Sequence, residues 1–143
     1  MTRYVLDASV AVKWFLSAKD ETLTPQALEL LRLYVAAQAQ FFVPDLFYAE
    51  FTNIFWKAER LGRCDERAAD AAANQILQRN LVSFPTTALL REAARIAREH
   101  DRSIYDSLYL ALAVAVDGAL ITADEKLVNS LAGRLPVRWL GAL

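Results

Sequence analysis

Five short apolar runs, at 3–6, 41–43, 81–84, 119–121 and 136–139, are separated by longer stretches in which apolar residues recur at helical spacing. No other feature of the chain constrains its fold as strongly. Parallel strands cannot be joined by hairpins and need crossover connections, so the alternation predicts an α/β fold. The expected architecture is a three-layer α/β/α stack around a central parallel sheet of about five short strands, covered on both faces. Helices are expected at 8–16, 24–40, 46–60, 65–78, 87–100, 105–116 and 124–131. Local punctuation agrees: Thr24-Pro25 puts proline at a first helical position, Pro85 closes a strand, and Asp117-Gly118 ends a helix with a glycine of the left-handed capping kind.

A length of 143 residues, 55% of them hydrophobic, is enough to bury a sizeable core. The chain reads as a single domain over 1–143, with no repeat, linker or low-complexity tract. A net charge of -1 gives no global attraction for polyanions, so nucleic-acid binding would rest on a local basic patch or on metal ions. One cysteine, Cys64, excludes an internal disulfide framework and suits a reducing, cytoplasmic setting. With His100 as the lone histidine, zinc chemistry has too few ligands. Asp7 and Lys13 interrupt the first apolar segment, which argues against a signal peptide. The longest apolar run, 108–116, is far shorter than the roughly 20 residues a membrane span requires.

In open parallel sheets, sites form at the carboxyl ends of the strands. Four acids map to that edge. Asp7 follows the first strand directly. Glu50 lies just over a turn into the helix that leaves the second strand. Asp106 is in the first turn of the helix returning to the strand at 119–121, and Asp124 lies three residues past that strand. Clustered carboxylates raise one another's pKa and need counter-charge, which a hard divalent cation with oxygen ligands, Mg²⁺ or Mn²⁺, would supply. Three of the acids also have a structural explanation. Asp7 is a possible helix N-cap, and Ser103 to Asp106 and Thr122 to Glu125 fit capping boxes. Glu50 resists such an explanation. It is the only charged residue in LFYAEFTNIFW and needs a partner if buried; Asn53, one turn on, is a candidate to orient it.

The stretches YVLDASVAVKWF, PDLFYAEFTNIFWK, SIYDSLYLALA and LITADEKL, in that order and spacing, resemble the PIN-domain ribonucleases, specifically the VapC-like toxins of type II toxin–antitoxin systems. The resemblance covers essentially the whole length. It implies a metal-dependent endoribonuclease that hydrolyses RNA phosphodiester bonds, with an acidic site of Asp7, Glu50, Asp106 and Asp124 supported by Thr122 and Ser9. Asp7 and Asp106 are the expected direct ligands. Glu50 would ligate, directly or through water, or help deprotonate a water; Asp124 would complete a second metal position or bind through water. An antitoxin is the implied protein partner, and a homodimer the implied assembly.

Substrate contacts are harder to read. Lys13, one or two turns beyond Asp7, would face a phosphate, an acidic partner segment or solvent. Arg91, Arg95, Arg98 and Arg102 recur at spacings that form one helical stripe, expected as a solvated face paired with Glu92 and Glu99 rather than an RNA track. Trp14, Phe15, Phe47, Phe51, Phe55 and Trp56 exceed what a small core needs; most are expected in the core, with some of the excess covering a homodimer face or the groove for a partner helix. Two other readings remain open: a Mg²⁺-binding phosphotransfer receiver module, and a non-catalytic PIN-like binding protein. The first lacks an acid next to Asp7; the second has no reason to retain all four acids.

Overall fold

The computed structural model describes residues 1–131 and 133–143. Five parallel strands, β1 (Thr2–Leu6), β2 (Ala39–Pro44), β3 (Val82–Phe84), β4 (Ala119–Thr122) and β5 (Val137–Trp139), form one sheet in the order β3-β2-β1-β4-β5. The helices are α1 (Ala8–Ala11), α2 (Thr24–Val35), α3 (Leu46–Arg60), α4 (Glu66–Gln78), α5 (Leu90–His100), α6 (Ile104–Ala115) and α7 (Glu125–Leu131). The fold is the expected α/β/α stack. No helix of the described residues is long and apolar enough to cross a membrane.

Strand order fixes where a site can form. The chain builds outward from β1 to β2 and β3, then returns to the other side of β1 with β4 and β5. Its direction reverses at the β1–β4 boundary, the kind of point at which sites form in open α/β sheets. Val5, Leu6, Leu120 and Ile121 in these two strands are fully buried or nearly so, and α6 packs against both. Residues just past β1 and β4 therefore stand on well-packed strands.

Four helix boundaries depart from expectation. The helix expected from 87 begins at Leu90, after a 3₁₀ turn over Thr86–Ala88. The helix expected at 8–16 becomes a single turn of α-helix followed by a tighter 3₁₀ turn, Val12–Trp14. Trp14 there donates its indole N–H to the Ala27 carbonyl at 2.7 Å. Helix α2 stops at Val35 rather than near Gln40, because Ala37 turns left-handed at φ 58° and Ala39 must pair with Thr2. The helix-favouring Ala36-Ala37-Gln38-Ala39 carries no stop signal of its own. After α6, Asp117 rather than Gly118 adopts the left-handed conformation. Gly118 serves a different need: a Cβ on it would lie 2.7 Å from the Arg3 carbonyl oxygen.

Most of the six aromatics are core, as expected. Phe47, Phe51 and Phe55 are buried on α3, while Trp14 and Phe15 pack against the core partly buried. Trp56 alone of the six is exposed, so the argument for a covered face rests on that residue and its surroundings.

Candidate active site

The site begins with the backbone of Asp7. Its N–H donates to the Ile121 carbonyl at 3.2 Å, extending the β1–β4 ladder by one residue. The carboxylate is thereby fixed beside the end of β4. Its Oδ2 accepts hydrogen bonds from Thr122 Oγ1 at 2.7 Å and Ser9 Oγ at 2.9 Å. Both hydroxyls are themselves held: the Asp124 amide donates to Thr122 Oγ1 at 3.1 Å, and the Ala123 amide to Ser9 Oγ at 3.3 Å. Such hydroxyls fix the orientation of the carboxylate without neutralising it. Thr122 and Ser9 thus touch Asp7, and the side chain of Asp7 makes no capping hydrogen bond to α1.

Asp106 and Asp124 each combine a helix terminus with the site. The Asp106 N–H donates to the Ser103 hydroxyl at 3.0 Å, which caps α6 and sets the carboxylate in its first turn. The cap of α7 is shifted from the expected Thr122 to Asp124, whose Oδ1 accepts from the Leu127 N–H at 3.1 Å. Thr122 is instead committed to Asp7. Capping occupies one oxygen of Asp124 and leaves the other free.

Glu50 finds a partner that sequence reasoning missed. The Tyr109 hydroxyl donates to Glu50 Oε1 at 2.6 Å, a length typical of a charge-assisted O–H···O⁻ bond. Among the described residues Asn53 is exposed and makes no hydrogen bond to Glu50, so the expected orienting role passes to Tyr109. A signal was present in the sequence: Tyr109 lies three residues after Asp106, on the same face of α6.

Electrostatics confirm that these acids feel one another. Burial pushes the Asp7 carboxyl above the usual carboxylate range despite the Thr122 and Ser9 hydroxyls, and Asp106 adds repulsion. Glu50 is raised by burial, opposed by the Tyr109 bond, and raised further by Asp7 and Asp106. Asp106 is raised by burial and then by Asp124, while the Ser103 hydroxyl and the Arg102 charge pull it down. This is an edge short of positive charge, and a cation is the physical remedy.

The donor set fits one kind of ion. All candidate ligands are carboxylate or hydroxyl oxygens, which suits a hard divalent cation. Among the described residues, no three acid, histidine or cysteine side chains close around a common point.

Lys13 is not part of this edge, and the substrate-facing expectation is corrected. Its side chain is 6% exposed, and its ammonium donates to Glu21 at 2.9 Å and to the Thr22 carbonyl at 2.8 Å. A buried ammonium needs this pairing, so the charge is spent on tying down the segment before α2. The arginine stripe also divides. Arg95 pairs with Glu92 and Glu99 on the exposed face of α5, as expected. Arg102 lies beyond α5, which ends at His100, and its Nε donates to the Asp101 carbonyl at 2.9 Å beside Asp106.

A family model for the PIN domain matches residues 4–130. The chain is 28% identical over 133 residues to ribonuclease VapC3 of Pyrobaculum aerophilum, covering 89% of this chain and 93% of that protein. It is 34% identical over 93 residues to exonuclease VapC9 of the same organism, covering 64% and 67% respectively. Among solved structures, PAE2754 from Pyrobaculum aerophilum superposes with a TM-score of 0.68 at 23% identity, over 99% of this chain and 85% of that one. A toxin–antitoxin complex from Klebsiella pneumoniae gives 0.59 at 16% identity, over 96% of both chains; at these identities the two structures speak for the fold. The acids at the carboxyl edge beside β1 and β4, and the match along nearly the whole chain, lead to one conclusion: the protein belongs to the PIN domain family.

Proposed function

We propose that this protein is a divalent-metal-dependent endoribonuclease and the toxin of a toxin–antitoxin pair. The observation that carries the reading is the gathering of three partly buried acids, Asp7, Glu50 and Asp106, at one edge of the sheet, with no basic partner among the described residues apart from the nearby Arg102. The names of VapC3 and VapC9 support nuclease chemistry, and the Klebsiella pneumoniae complex supports an antitoxin partner.

Asp7 and Asp106 would hold Mg²⁺ or Mn²⁺ directly, with Glu50 and Asp124 binding it directly or through water. When bound, the cation lowers the pKa of water at the site and offsets charge developing on the phosphate. Thr122 and Ser9 fix the orientation of the Asp7 carboxylate at this edge. Glu50, half-buried and held by Tyr109, would help take a proton from the attacking water. Arg102, anchored by its Nε, adds positive charge next to Asp106 for a phosphate oxygen. A serine–histidine route has no support, since the lone His100 ends α5 and contacts Glu99. Exposed Trp56 and Leu61 at the end of α3 offer apolar surface to the antitoxin or to a second copy of the chain.

The test is cleavage of internally labelled and circularised RNA. The protein should cut with Mg²⁺ or Mn²⁺, stop with EDTA and lose activity as Asp7→Asn. Circular RNA distinguishes internal cutting from end-directed cutting, the activity named for VapC9. Equal cutting by Asp7→Asn would remove the site assignment, and an intact circle beside a degraded linear RNA would replace endonuclease by exonuclease.

A further inference from the structure

Helix α6 is buried along most of its length by apolar side chains, Leu108, Leu110, Ala111, Leu112 and Ala113 among them. Tyr109 sits in this run at 3% exposure. A phenylalanine would fill the same space, and a buried hydroxyl costs free energy unless it is bonded. The hydroxyl is nonetheless present, and it is bonded. It donates to Glu50 Oε1 at 2.6 Å. That bond ties α6, which carries Asp106, to α3, which carries Glu50.

Resting on the metal-dependent reading above, we propose that Tyr109 is a positioning residue: its hydroxyl fixes Glu50 on one oxygen and presents the other to the divalent cation or its bound water. The physical reasons are two. Glu50 is on the second turn of α3 with three side-chain torsions to order, and a short charge-assisted bond selects one arrangement. A phenol keeps its proton at neutral pH, so Tyr109 acts as a donor and not as a ligand. Partners of this kind behind metal ligands change metal affinity or activity by about 10- to 100-fold when removed.

The test is a double-mutant cycle on the full chain, read first as Mn²⁺ affinity without RNA and then as cleavage. Tyr109→Phe should weaken Mn²⁺ binding by about tenfold and lower kcat, with KM for RNA unchanged. In a Glu50→Gln background the same substitution should change Mn²⁺ affinity less than about twofold, since the effect passes through the carboxylate. Unchanged affinity in Tyr109→Phe, or an equal loss in both backgrounds, overturns the proposal in favour of simple packing. Absence of Mn²⁺ binding by the parent protein overturns the metal-dependent reading itself, which is a distinguishable failure. Should Tyr109→Phe not fold, the parent labelled with 3-fluorotyrosine supplies the second measurement. One tyrosine fluorine resonance should move on Mg²⁺ addition, and that movement should vanish in Glu50→Ala; no responding resonance, or one that still moves in Glu50→Ala, overturns it.

Discussion

Two sets of carboxylates in this molecule behave in opposite ways. On the exposed faces of α2 and α5, Glu29 and Glu92 lie against Arg32 and Arg95, and these partners pull both carboxyls below their ordinary pKa. At the carboxyl edge of the sheet, Asp7, Glu50 and Asp106 are raised, by burial first and by one another second. Pairing on the first set is local, three or four residues along one helix. The second set comes from β1, α3 and α6, far apart in sequence, and the fold brings like charges together. A chain that places acids this way holds a destabilising cluster unless something else supplies positive charge. Lys13 and Glu21 form the third case, a buried pair in which both charges are satisfied internally.

The largest effect expected from this contrast is on chemistry. Asp7→Asn should lower the RNA cleavage rate by about 10³-fold or more, since a ligand to the cation is worth several kcal/mol in the transition state, whereas Glu92→Gln should leave the rate unchanged in the same assay. Next in size is Lys13→Met, which strands Glu21 at 17% exposure without its partner. Denaturant unfolding should show a loss of about 2–3 kcal/mol, below the range for deeply buried pairs, while the remaining folded protein keeps its Mn²⁺ affinity. A large loss of affinity would return Lys13 to the site.

A smaller effect concerns pH. For Asp7, Glu50 and Asp106 the folded pKa lies above the unfolded one, so in EDTA the folded state holds protons more tightly. Their favourable contribution is fully present below the unfolded carboxylate pKa of about 4 and is lost as pH rises through the raised folded values. The melting-temperature advantage of metal-free Asp7→Asn over metal-free parent should therefore shrink as pH is lowered from 7 toward 4. An advantage that grows on acidification would reverse the sign of the argument. Smallest of all is Arg95→Ala, which should leave both melting temperature and cleavage within error, because exposed helix pairs contribute little.

Much of this arrangement was legible in the sequence, and the residues show why. Short apolar runs between helical stretches sufficed for the parallel sheet, and the topology then carried Asp7, Glu50, Asp106 and Asp124 to one edge. The length of α2 was not legible, because 36–39 favour helix locally and only pairing of Ala39 with Thr2 ends it. Asp117 and Gly118 exchanged roles for a similar reason: the approach to the Arg3 carbonyl is a tertiary fact. Side-chain partners were least legible. Lys13 could be placed near Asp7 in sequence, but its bond to Glu21 depends on how the loop before α2 folds back. Tyr109 was hidden among the apolar residues of α6, where an aromatic ring reads as core unless its hydroxyl has a known target.

The central claim is that the clustered acids oppose folding until a divalent cation binds. Thermal unfolding of parent and Asp7→Asn, each with EDTA and then with excess Mn²⁺ at pH 7, tests it most directly. In EDTA the Asp7→Asn protein should be the more stable of the two, and Mn²⁺ should raise the melting temperature of the parent far more than that of the variant. A parent that is the more stable in EDTA and does not respond to Mn²⁺ would contradict the account.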